Sequence, residues 1–119
     1  MAKPVFINKK IKNFNKKITI SGDKSLSIRW ALIASQATGK SKAYNLLNSE
    51  DILSTIKCLK KLGIKIIIKK EYCEIIGFGL NNFDYKTNLN SNAGISGTLG
   101  RLILGLLIHY PHKVKLIGD

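Results

Sequence analysis

The sequence predicts an α/β chain layered in the α+β manner: a sheet carrying helices, in the order β-α-β-α-β-β-(β)-α-β. Three observations predict it. Two segments, 24–37 and 50–62, repeat their apolar residues at helical spacing. Short β-branched runs at 17–21, 64–68 and 72–76 read as strands. Gly22, Gly39, Gly63, Gly77 and Pro111 stand where one kind of period gives way to another.

Residues 1–16 are Lys/Asn-rich, with Val5, Phe6 and Ile7 as a short apolar cluster, and read as an edge strand or a basic arm. Residues 17–119 read as the folded part. Ile18 and Ile20 alternate in a strand over 17–21, which Gly22-Asp23 breaks. Leu26, Trp30, Ile33, Ala34 and Ala37 predict the inward stripe of a helix over 24–37, with Gly39 placed to end it. A short strand follows over 42–46. Ser49 is a good N-cap, and Glu50 and Asp51 occupy a first turn where the helix dipole favours acids. Ile52, Leu53, Ile56 and Leu59 make that helix's stripe, and Gly63 ends it. Residues 64–68 and 72–76 form a hairpin around Lys70-Glu71. A polar connection over 77–90 carries at most one short strand. Residues 96–110 form a third helix, apolar on most sides and therefore expected to be buried. Pro111 stops it, and 113–117 is the last strand.

The composition narrows the function. Eighteen Lys and two Arg against seven acids leave a formal net charge of +13. The hydrophobic share, 45%, is enough for a packed core, which excludes wholesale disorder. Cys58 and Cys73 cannot make a disulfide framework or a four-ligand zinc site. No apolar run reaches the length of a membrane span, and no secretory signal pattern opens the chain, so a cytoplasmic protein is expected. The lysines spread over the whole chain without interleaved aromatics, as on solvated faces rather than a nucleic-acid platform. Where Lys is used nearly everywhere, Arg29 and Arg101 mark positions that call for a planar, bidentate fork.

Two apparent phosphate loops fail. Ala37-Thr38-Gly39-Lys40-Ser41 has the tail of a P-loop, but Ala34 stands where its first glycine belongs. Gly77-Phe78-Gly79 has Asn82 where a dinucleotide loop needs a third glycine, and reads as a hairpin exit. Two other segments carry chemistry. In Ser21-Gly22-Asp23-Lys24-Ser25-Leu26-Ser27-Ile28-Arg29 a strand ends, glycine turns the chain and a helix begins. An ammonium, a hydroxyl and a guanidinium then gather beside a helix N-terminus, which suits a phosphate or carboxylate. A capped helix with a surface Arg would explain the same letters. In Asn92-Ala93-Gly94-Ile95-Ser96-Gly97-Thr98-Leu99-Gly100-Arg101, the glycines let backbone approach a ligand just before a helix, and Arg101 lies about one turn inside it. A glycine-rich loop feeding a close-packed helix is the plain alternative.

Gly22-Asp23-Lys24-Ser25-Leu26-Ser27-Ile28-Arg29 resembles the GDKS-x-S-x-R signature of the 3-phosphoshikimate 1-carboxyvinyltransferase (EPSP synthase) family. Asn48-Ser49-Glu50-Asp51 resembles its next segment, and Leu59-Lys60-Lys61-Leu62-Gly63 the helix end after it. Gly94-Ile95-Ser96-Gly97-Thr98-Leu99-Gly100-Arg101 resembles its G-N-[SA]-G-T-x-x-R loop. The resemblance runs in order from about Ile18 to Ile117. It implies an enolpyruvate transferase-like domain built from β-α-β-α-β-β units, of which 17–119 is the leading part of a two-domain enzyme. The implied reaction moves the enolpyruvyl group of phosphoenolpyruvate onto the 5-hydroxyl of shikimate 3-phosphate and releases phosphate. It proceeds by addition and elimination with no metal or organic cofactor, as a step of aromatic amino-acid biosynthesis. By the same resemblance Lys24 contacts both substrates and is a possible catalytic group. Ser25 and Arg29 hold shikimate 3-phosphate, and the Gly97 backbone holds phosphoenolpyruvate. Thr98, Arg101 and Asp51 lie near the site. The expected partners are these small anions and the rest of the enzyme, which supplies the remaining acid/base groups and completes the site. Neither nucleic acid nor membrane is expected, and the full enzyme is expected to be monomeric.

One residue departs from the pattern: Ile95 stands where the family has Asn, exchanging a hydrogen-bonding amide for a β-branched hydrocarbon. The rival readings are a UDP-N-acetylglucosamine enolpyruvyl transferase, which typically has Lys-Asn where this chain has Lys24-Ser25, and a basic nucleic-acid-binding module.

Overall fold

The computed structural model describes residues 2–10, 12–85, 89–94 and 96–118. Three helices and five strands follow one another: α1 (Lys24–Gln36), β1 (Thr38–Tyr44), α2 (Glu50–Lys61), β2 (Lys65–Ile68), β3 (Tyr72–Phe78), β4 (Leu89–Gly94), α3 (Gly97–Leu107) and β5 (Val114–Gly118). β3 is the centre of an antiparallel sheet in the order β1-β3-β2, and β4 pairs in parallel with β5. A parallel pair needs a crossover, and α3 is that crossover.

Local chemistry accounts for most boundaries. Asp23 caps α1 by accepting from the Leu26 amide at 2.7 Å. Glu50 and Asp51 open α2, and Lys60 and Lys61 close it, each charge matching the end of the dipole it meets. Ser49 occupies the N-cap position, yet its hydroxyl makes no capping bond. The hairpin forms as expected, with Ile66 opposite Ile75 and the Lys69 amide donating to the Tyr72 carbonyl at 2.8 Å. On the outer face, the buried carboxylate of Glu74 lies 3.8 Å from Lys40 and 3.5 Å from Lys42.

The core joins Ile28 and Leu32 of α1 to Ile52, Ile56 and Leu59 of α2, then to Leu62, Ile64, Ile75, Leu99 and Ile103. Here the structure corrects the expected stripe of α1. The buried face carries Ser27, Ile28, Ala31, Leu32, Ala34 and Ser35, whereas Leu26 and Ile33 are exposed, Ile33 at 71%. Small side chains decide this. They let the α1 backbone close on β3, where a Cβ on Gly77 would lie 2.2 Å from the Ala37 carbonyl oxygen. A side chain on Gly77 would hold the two backbones apart at Ala34 and Ala37, while Ile28 and Leu32 fill the core nearer the start of the helix.

Three further expectations change. The strand over 17–21 does not form: no helix or strand is present before Lys24 among the described residues, and Ile18 and Ile20 are exposed. Alternation makes a ribbon amphipathic, but a strand persists only with ladder partners, and β1 forms the sheet edge without one. β1 starts at Thr38, earlier than 42, because its ladder with β3 runs back to Thr38 opposite Phe78. α3 buries Leu99 and Ile103 only, leaving Leu102, Leu104 and Ile108 exposed. Its apolar circumference promised full burial, but α1 and β4 cover one side of it.

Candidate functional site

The helix caps build the site. At the start of α1, the chain passes so close to the segment after β1 that a Cβ on Gly22 would lie 2.5 Å from the Asn45 carbonyl oxygen and 2.6 Å from the Leu47 nitrogen. The Asn45 side-chain amide donates to the Ile20 carbonyl, and buried Ser27 accepts from the Leu47 amide at 3.3 Å. These contacts fix the direction in which α1 leaves the loop. Asp23 takes up the Leu26 amide, so part of the helix-terminal donor set already has a partner.

Lys24 is the first residue of α1. Its ammonium lies 3.1 Å from Asp51 Oδ2, in the first turn of α2. The two side chains differ sharply in environment: that of Lys24 is 52% exposed and that of Asp51 is 6% exposed. Asp51 Oδ1 and the Ser49 hydroxyl are buried with no hydrogen-bond partner among the described residues. Ser25 is half-buried, and Arg29 follows one turn later, exposed. Arg29 borders an apolar groove of about 500 Å³ between α1 and α3, walled by Leu32, Ile33, Leu102 and Leu106. A second cavity, about 540 Å³, lies between residues 45–48, α2 and the β2–β3 turn, and of the motif residues Asn48 lines it.

The second segment repeats the arrangement. β4 ends at Gly94, whose φ of 58° lies in the left-handed region that glycine adopts freely. The Gly94 amide donates to Asn92 Oδ1 at 2.7 Å. Ser96 then caps α3 by accepting from the Leu99 amide at 3.1 Å. Arg101 turns its guanidinium back over the helix start, where a Cβ on Gly97 would lie 3.5 Å from Nη2. Thr98 is half-buried beside it. Ile95 lies outside the described residues.

The N-terminal part of α2 meets both segments. Asp51 meets Lys24, while a Cβ on Gly94 would lie 3.2 Å from the Ser54 hydroxyl. The structure therefore brings Lys24 to Asp51 and Gly97 to Arg101, and α2 meets the first segment through Asp51 and the end of β4, at Gly94, through Ser54. Ser25 and Arg29 share the outer side of α1 without a bond to either pair among the described residues. Sequence reading missed Ser54 and Asn92; the only signal was their closeness to the two motifs. It also read Asp51 as a dipole partner, and burial opposite a lysine goes further than that. The starts of α1 and α3, with the cations Lys24, Arg29 and Arg101, suit phosphate and carboxylate groups. No cluster of three or more metal-ligating side chains occurs among the described residues. No helix there is long and apolar enough to cross a membrane.

Comparison with known proteins gives one answer. The model of the EPSP synthase (3-phosphoshikimate 1-carboxyvinyltransferase) family matches residues 8–119. A 3-phosphoshikimate 1-carboxyvinyltransferase from Bacillus cytotoxicus is 41% identical over 108 residues, which cover 91% of this chain and 25% of that protein. The enzyme of the same name from Streptococcus pyogenes serotype M1 is 40% identical over 102 residues, covering 86% of this chain and 24% of the relative. A solved structure of EPSP synthase from Acinetobacter baumannii superimposes with a TM-score of 0.77 at 30% identity, covering 87% of this chain and 24% of that one. The chain thus spans about a quarter of the length of the curated relatives it matches.

Proposed function

The chain belongs to the EPSP synthase family, and from that membership we propose that it supplies the anion-binding part of an enolpyruvyl-transfer site. The reaction is transfer of the enolpyruvyl group from phosphoenolpyruvate to the 5-hydroxyl of shikimate 3-phosphate with release of phosphate, in the cytoplasm. Residues 17–119 are part of the domain that carries this half of the site, behind a basic arm at 1–16. Lys24 contacts both substrates. Ser25 and Arg29 hold shikimate 3-phosphate, the Gly97 backbone receives phosphoenolpyruvate, and Thr98, Arg101 and Asp51 lie beside them.

One observation carries the reading: α2 meets both motif segments within one turn, Asp51 at Lys24 and Ser54 at Gly94, three residues before α3 begins. Two anionic substrates that must react with each other need that proximity. The half-exposed Lys24 keeps a face of its ammonium open to an anion.

Turnover needs more than this half. General acid/base catalysis requires groups within hydrogen-bond reach of the reacting atoms, and exclusion of water strengthens every charge involved. The isolated chain therefore binds and does not turn over. The test titrates isotopically labelled chain with each substrate. Shikimate 3-phosphate should shift the amides of Lys24, Ser25 and Arg29; phosphoenolpyruvate should shift Gly97 and Thr98. Phosphate release should appear only after mixing with the three quarters of a relative that the chain does not cover. Shifts spread over all lysines, matched by random DNA with a steep salt slope, would instead indicate a basic binding surface.

A further inference from the structure

We propose that Asp51 is a positioning residue for Lys24. It holds the ammonium at the start of α1 before any ligand arrives, so that the cation meets its anion already ordered. The inference rests on the reading of Lys24 as an anion-binding residue.

The geometry sets a hierarchy between the partners. Asp51 is 5% exposed, and its carboxylate has one cationic partner among the described residues, Lys24 at 3.1 Å. Its other oxygen, Oδ1, is buried with no partner there. A carboxylate taken out of water and matched by one cation strongly disfavours that cation's departure. Lys24 has the opposite freedom, since its side chain is half exposed and water would accept it. Asp51 thus pins Lys24 far more than Lys24 needs Asp51.

Pinning matters because a lysine stem is flexible and loses rotamer freedom when its ammonium is fixed by a ligand. With Asp51 in place that loss is already met by the fold. The ammonium can still face an anion on its exposed side, since it has three donors. Asp51 itself sits on the backbone of α2, and Ser54 of the same helix backs Gly94. The ammonium is therefore registered against the element that also locates the second loop.

Charge alone predicts the reverse effect of removing Asp51. Asp51→Asn deletes a negative charge next to an anion site, which by simple attraction would tighten anions. Loss of positioning weakens them instead, by about 2- to 10-fold for one freed side chain. The experiment measures shikimate 3-phosphate affinity of the whole chain and of Asp51→Asn, together with the side-chain nitrogen resonance of Lys24. We expect a Lys24 ammonium signal resolved from the other lysines in the unliganded chain. In Asp51→Asn it should collapse toward them, with weaker binding and unchanged amide dispersion elsewhere. In a Lys24→Met background, Asp51→Asn should leave affinity unchanged, because Asp51 acts through Lys24. Equal or tighter binding by Asp51→Asn overturns the proposal. So does a Lys24 signal already averaged with the others in the unliganded chain, a measurement that stands even where the variants do not fold. If shikimate 3-phosphate shifts nothing in the unmodified chain while Lys24 is ordered by Asp51, the substrate assignment fails and the ordering of Lys24 stands.

Discussion

Gly22 and Gly97 both stand at helix starts inside the motifs, and their surroundings predict opposite results for alanine. A Cβ on Gly22 would press into backbone at 2.5 and 2.6 Å, where neither side can yield without moving the 45–47 segment. Gly22→Ala should cost about 1–3 kcal/mol by overpacking, read as a lower thermal midpoint. A Cβ on Gly97 would meet only the movable guanidinium of Arg101, at 3.5 Å. Gly97→Ala should keep the midpoint and weaken phosphoenolpyruvate, because the methyl group occupies the space in which a ligand would approach the backbone. Unchanged affinity would remove Gly97 from the site. Arg29→Lys keeps the charge and loses the fork, so shikimate 3-phosphate should bind roughly 1.5–3 kcal/mol more weakly while the unfolding free energy stays within about 0.5 kcal/mol of wild type. The motif letters showed which residues to test. The distances around the two glycines, which separate a packing role from a ligand role, come only from chain segments remote in sequence.

At the scale of elements, α1 shows where periodicity stops being informative. The helix has two apolar arcs, one through Leu26, Trp30 and Ile33 and one through Ile28, Ala31 and Leu32. Hydrophobic spacing favours the arc with the larger side chains. The fold buries the other, which joins the core with α2 and the sheet, and leaves Trp30 only partly covered. Truncation separates the two arcs. Ile28→Ala should cost about 2–5 kcal/mol, as for any fully buried Ile, whereas Ile33→Ala should change stability by about 0.5 kcal/mol or less. Denaturant midpoints of the two variants decide it, and comparable losses would mean that Ile33 is covered in solution. α2 was legible because its polar and apolar arcs are well divided, with lysines on one side and Ile52, Ile56 and Leu59 on the other; only Leu53 of the expected stripe is exposed. The strand expected over 17–21 failed for a different reason: its pattern was right, but no ladder partner lies on the outer edge of β1.

For the whole molecule, the two thiols report on the integrity of the core. Cys58 of α2 and Cys73 of β3 are both buried. Burial pushes both thiols up, and the nearby Lys61 and Ser91 at Cys58, and Lys60 at Cys73, only partly offset it. A thiol raised in the folded chain contributes stability that is complete below its unfolded value, about 8.5. That contribution is lost as pH rises from there through the folded value, because the unfolded chain then releases its proton first. Stability should therefore fall as pH climbs above about 8.5, and less so in the Cys58→Ala/Cys73→Ala chain, with urea midpoints at several pH values as the measure. An equal fall in both chains would place the pH dependence elsewhere. In the native state both thiols should resist alkylation, since the thiolate is the reactive form.

The sequence by itself determined the helix starts, the hairpin, the basic charge and the two motifs. Each of these depends on residues within a few positions of one another: Asp23 with Leu26, Ser96 with Leu99, Ile66 facing Ile75 across a short turn. Only the tertiary structure decided which arc of α1 is inside, that α3 keeps an exposed apolar side, and that Asp51 is a buried carboxylate holding Lys24. Periodicity defines an arc on a helix but not the partner that covers it. The 3.1 Å contact between Lys24 and Asp51 joins residues on two helices with a strand between them. It exists because α1 and α2 pack against each other in one core, and that packing joins residues remote in sequence rather than following any local pattern.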